Sequence, residues 1–139
     1  MCLTEGEPDL CPPNGYTITS SNEHGYTSRR GGQRKVLLWS QQEWDNVDEI
    51  GNSGLPPGRY ISGVTDTNLG PLRIIGVCIP WSHAHVSTGR RDRQLWQDHL
   101  TFLEELESLL NRRSDDIDTI VVGDFNQRIP PTTCTEDCF

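Results

Sequence analysis

Basic residues are scarce in this chain. Twelve Lys and Arg stand against 20 Asp and Glu, giving a formal net charge of −8 and a pI near 4.8. That balance excludes the broad positive surface with which duplex binders hold a phosphate backbone. Nucleic acid is therefore not favoured as a partner, and is open to the chain only through local arginines or a bound cation. Long apolar runs are missing too: no stretch approaches the roughly 18 residues needed to cross a bilayer, so no membrane span is expected. The first residues lack the basic-then-apolar layout of a signal peptide, and a cytoplasmic chain is the expectation. The hydrophobic share is 33%, and even with the 13 glycines added it falls slightly under the roughly 45–50% usual for soluble domains. Five cysteines, Cys2, Cys11, Cys78, Cys134 and Cys138, are an odd number and too scattered for a dense disulfide framework. Reduced thiols are the default. Cys134 and Cys138 share a short stretch and read either as a metal or disulfide pair or as two plain thiols.

What is present suits one domain over residues 1–139, with an irregular tail at 131–139. Residues 16–20 alternate apolar with hydroxyl side chains and residues 35–40 form a short apolar run, so both read as strands. Residues 41–57 are rich in Asn, Asp, Ser, Gly and Pro and read as a long loop with room for one helical turn; Trp39 and Trp44 are expected over a sheet edge. Two β-type runs, 59–65 and 72–79, flank a turn-rich segment and predict an antiparallel hairpin, stopped by Pro80. From 91 to about 113, Leu95, Trp96, His99, Phe102, Leu103, Leu106, Leu109 and Leu110 recur at helical spacing and predict an amphipathic helix. Arg112 and Arg113 complement its negative end. A compact buried strand is then expected at 119–122. Hairpin, helix and strand together make a mixed α/β domain with the helix on one sheet face.

The chemistry concentrates after that last strand, at Gly123-Asp124-Phe125-Asn126. A carboxylate and a carboxamide two residues apart project to one side of a strand and can address one ligand. Asp124 can orient an attacking water or accept its proton, and Asn126 can donate to a phosphoryl oxygen. The same triplet equally reads as an Asx turn closing a strand. His83 and His85 form a His-x-His loop that reads as phosphate contacts, as a zinc pair with Cys78, or as plain exposed histidines. His24 lies in a polar loop. The basic groups at Arg29, Arg30, Arg34 and Lys35, and at Arg90, Arg91 and Arg93, are offset by nearby acids and read as solvated or phosphate-proximal surface.

The combination of Ile74-Ile75-Gly76-Val77-Cys78-Ile79-Pro80-Trp81, a helix opening with arginines, and Ile120-Val121-Val122-Gly123-Asp124-Phe125-Asn126 resembles the endonuclease/exonuclease/phosphatase superfamily. The resemblance implies a partial four-layered α/β/β/α sandwich with mixed, mainly antiparallel sheets. It implies phosphoester hydrolysis with a divalent metal, Mg2+ or Mn2+. Met1-Cys2-Leu3-Thr4-Glu5 then matches the end of a strand carrying the metal-binding glutamate, which makes Glu5 the metal ligand; read by itself, Glu5 is a surface carboxylate. Asp124 and Asn126 match the Asp-x-Asn motif and become the catalytic pair, while Cys78 takes the place of a phosphate-touching tyrosine or histidine. A thiol is a weaker donor there, and His83 and His85 would compensate.

Two parts of the family pattern have no counterpart: an asparagine- or aspartate-bearing strand before Glu5, and an Asp-His pair after Asn126. The expectation is a phosphodiesterase- or nuclease-type hydrolase truncated at both ends and weak or inactive as this chain. The alternative is a non-catalytic binding or assembly module on the same fold. Truncation would leave a sheet edge unpaired and favour self-association.

Overall fold

The computed structural model describes residues 1–27 and 32–127. Among these, seven strands and one helix run β1 (Cys2–Gly6), β2 (Tyr16–Thr19), β3 (Arg34–Ser40), β4 (Asp45–Asp48), β5 (Tyr60–Thr67), β6 (Gly70–Cys78), α1 (Gln97–Asn111) and β7 (Asp118–Asp124), with a single 3-10 turn at Pro8–Leu10. The α/β class read from the sequence is the class observed. β1, β3 and β2 form an antiparallel three-stranded sheet. β4, β5, β6 and β7 form a second sheet, antiparallel except for the parallel pair β6–β7. A parallel pair needs a long crossover, and α1 supplies it.

The two-residue side-chain period of β6 sorts its apolar residues between two cores. Ile75 and Val77 face α1 and pack with Tyr60, Phe102, Leu106 and Leu109. Cys78 and Ile74 face the other sheet and join Val36, Leu38 and Ile61. Gly76 lets the sheets close together, since a Cβ there would lie 2.7 Å from the Val36 side chain. β6 thus packs against α1 with one face and against β3 with the other. Arg29, Arg30, Cys134, Cys138 and the tail at 131–139 lie outside the described residues.

Three elements differ from expectation. Inside the segment read as a loop, Asp45–Asp48 is a strand against β5, with an irregular register. Its polar residues have low strand propensity, so pairing rather than composition makes it a strand. The helix begins at Gln97 rather than near 91. Arg91 and Trp96 take left-handed φ values of 57° and 66°, a conformation costing about 1–3 kcal/mol for such residues. Trp96 N–H donates to the Ser82 carbonyl and Arg93 N–H to that of His85, which hold the segment as a loop. Leu95 and Trp96 therefore lie exposed outside the helix, and Leu110, within it, is 37% exposed rather than on the buried face. The strand expected to be compact and buried, β7, is an edge strand among the described residues, and its Ile120 is 46% exposed.

Other expectations hold. His99, Phe102, Leu106 and Leu109 form the buried face of α1, and Arg112 Nε donates to the Ser108 carbonyl at the helix end. Trp39 and Trp44 tie their indole N–H groups to the carbonyls of Pro12 and Tyr16 across the first sheet. Among the described residues no helix is long and apolar enough to cross a membrane.

Candidate active site

The ends of β6 and β7 are locked together by register. Cys78 lies opposite Asp124, and Ile79 N–H donates to the Asp124 carbonyl at 2.8 Å. Gly123 permits this approach: its φ is 138°, and a Cβ there would overlap the Val77 carbonyl. Just beyond, Asn126 turns into the left-handed region at φ 50°. Its backbone N–H donates to Asp124 Oδ1 at 2.9 Å, which is the Asx turn that the triplet allows. Asn126 Nδ2 donates to Asp124 Oδ2 at 3.0 Å and to the Ile79 carbonyl at 2.8 Å. An amide nitrogen has two donors, so both are committed. Asn126 thus fixes the Asp124 carboxylate, whose oxygens keep spare lone pairs for a further partner.

Glu5 reaches the same region from the first sheet. It sits at φ 55° with a side chain 56% exposed, and its Oε1 accepts from Lys35 Nζ at 2.6 Å. That hydrogen bond holds the Glu5 carboxyl below its ordinary range, against the opposing effect of partial burial. Cys78, opposite Asp124 in the register of β6 and β7, is fully buried. Burial pushes the Cys78 thiol up, Arg59 pulls it down, Glu5 raises it, Lys35 lowers it and Asp124 raises it again.

Arg59 is a residue the sequence pattern did not single out. It is only 3% exposed, and its Nη1 donates to the Cys78 carbonyl at 3.1 Å. The Tyr26 ring lies 5.8 Å from its guanidinium and 5.0 Å from Lys35 Nζ. An arginine heading an otherwise apolar strand was the available signal, since a buried cation requires dedicated partners.

The three residues expected to touch phosphate separate. His83 is exposed and lines a cleft of about 1280 Å³ together with Asp124 and Asn126. Its Nδ1 is 3.0 Å from Ser82 Oγ, and its ring leans against Trp81. His85 is buried and stacks on Tyr26 with centroids 4.5 Å apart. Its Nδ1 accepts from Arg90 N–H at 3.2 Å, and its Nε2 lies 3.9 Å from the buried Asp98 carboxylate. Burial and the nearby Arg90 charge hold the His85 imidazole below its ordinary range. His85 thus faces inward, as does the Cys78 thiol, and neither lines the cleft. His99, buried on α1, does line it and donates from Nδ1 to the Pro80 carbonyl at 2.6 Å.

Among the described residues, no group of three or more His, Cys, Asp or Glu is placed to hold a metal ion. The oxygen donors on offer are Glu5 and Asp124. No protein-family model matches the chain, and no curated protein matches it.

Proposed function

We propose that this domain is a metal-dependent phosphoester hydrolase of phosphodiesterase or nuclease type, with its site at the ends of β1, β6 and β7. One observation carries the reading: Asp124, held by Asn126 at the paired ends of β6 and β7, shares the wall of an open cleft with His83. The donors fit the ion that the resemblance implies. Mg2+ and Mn2+ take hard oxygen ligands, and magnesium commonly rests on one or two carboxylates while water and substrate complete its shell. Glu5 already holds a positive charge in the form of Lys35, so a cation there would exchange with the ammonium. When bound, the ion would stabilise charge on a phosphoryl oxygen.

The chain's own residues divide the remaining work. Asp124, pinned by Asn126 at both oxygens, orients a water and accepts its proton. Asn126 is a positioning residue, because both its amide donors are occupied. His83, exposed on the cleft wall, is the histidine free to meet a phosphate oxygen. Hydrolysis of bis(4-nitrophenyl) phosphate with and without Mg2+ tests the reading. Slow, Mg2+-dependent turnover that falls at least about 100-fold in Asp124→Ala is expected. Metal-independent turnover, or turnover indifferent to that substitution, would contradict it.

A second reading, a non-catalytic assembly module, is favoured by the exposed Ile120 on β7, an edge strand among the described residues. Unpaired apolar edges template association. Light scattering of the wild type and Ile120→Lys separates the two: a concentration-dependent dimer abolished by the lysine supports assembly.

A further inference from the structure

We infer that the cleft beside Asp124 is a stacking site for one planar heteroaromatic ring, which makes a nucleotide-sized phosphoester the substrate class. The substrate class rests on the hydrolase reading above; the ring site itself does not.

Three aromatic side chains, Trp81, Trp96 and Phe125, line the cleft and are each between 41% and 46% exposed. Side chains of this size left half in water on one concave surface mark a binding site rather than scattered surface. Trp96 is held there at a cost, in a left-handed conformation that bulky residues avoid. Its contact with His99 is edge-on, at 86° and 5.0 Å, which cannot cover both faces of the indole. Trp81 is tilted against His83 at 30°, so an imidazole and an indole share the cleft wall with Asp124.

The charge of the lining selects the occupant. Among the described residues none of the lining side chains is Lys or Arg, and Asp124 is the charged one. A polyanionic strand would meet a carboxylate and no cation, on a chain of net charge −8. An acyl chain would meet only Leu100 and Leu103 as aliphatic wall, interrupted by polar groups at Ser82, Asn126 and Gln127. A flat ring with donors and acceptors on its edge uses both features: faces stack on aromatics, and edges hydrogen-bond to the polar groups between them. The volume, about 1280 Å³, admits such a ring with its attached sugar and phosphate.

Equilibrium dialysis of adenosine against the full chain, without added metal, tests the ring site apart from catalysis. Saturable binding is expected, weakened about tenfold or more in Trp81→Leu, weakened likewise in Trp96→Leu, and retained within about threefold in Trp81→Phe. The leucine keeps apolar area and removes the ring, and Trp81 is exposed enough for the variant to fold; a far-UV melt verifies it. No saturable binding, equal binding by Trp81→Leu, or binding of decyl phosphate in place of adenosine would each overturn the inference. Mg2+-dependent turnover without adenosine binding would refute stacking and leave the hydrolase reading intact. Adenosine binding without turnover would refute the hydrolase reading and leave the ring site standing.

Discussion

The two faces of β6 bury their side chains in different company. Toward α1 the partners are Tyr60, Phe102, Leu106 and Leu109, with Ser62 and Arg73 also buried, the latter paired with Asp115 at 2.8 Å. At the Cys78 end, Arg59 is buried with Lys35 and Glu5 close by, and His85 is buried beside Asp98 at the start of α1. Apolar burial is where the folding free energy comes from. Buried charge opposes folding unless fully partnered; Arg73 has Asp115, and the larger cluster at the Cys78 end is the candidate place for binding or chemistry.

The apolar side gives the largest expected effect. Phe102→Ala should lower unfolding free energy by about 3–5 kcal/mol in urea titrations while leaving the Asp124 cleft able to bind. A loss under about 1 kcal/mol would show that α1 contributes little to the core. Next comes the joint between the regions. Gly123→Ala should destabilise by more than about 1 kcal/mol, because the new Cβ overlaps the Val77 carbonyl and φ is positive. Amide exchange should accelerate at Ile79, whose N–H is bonded to Asp124; unchanged protection there would separate Gly123 from the site.

The smallest effect is a pH dependence confined to the charged end. His24 and His85 both titrate below the ordinary imidazole range, mainly because burial disfavours their charged forms. Below about pH 6.5 the unfolded chain therefore binds more protons than the folded one, and stability falls as pH falls. Melts between pH 7.5 and 5.5 should show the loss, and His85→Gln should remove part of it. A flat profile would mean that neither ring is buried neutral.

The central hairpin, the buried face of α1 and the Asp124-x-Asn126 turn were legible in the sequence because each rests on local periodicity or local hydrogen bonding. β4 was not, because Asp45–Asp48 becomes a strand only through its pairing with β5. The helix start was misplaced because Leu95 and Trp96 continue the apolar spacing, while the tertiary bonds at Ser82 and His85 stop the helix short of them. In the candidate site, Asp124, Asn126 and His83 line one cleft. The inward turn of His85 depends on Tyr26, 59 positions away. The Glu5 to Lys35 bond and the buried Arg59 are likewise long-range facts without a local signature.

A double-mutant cycle on Glu5 and Asp124 tests the shared site most directly, using Mg2+-dependent hydrolysis of bis(4-nitrophenyl) phosphate by the wild type, Glu5→Gln, Asp124→Asn and the double variant. If the two carboxylates serve one site, the losses are strongly non-additive and the double variant is hardly slower than the worse single one. Losses that simply multiply, or a Glu5→Gln chain as active as the wild type, would contradict a common site at the ends of β1, β6 and β7.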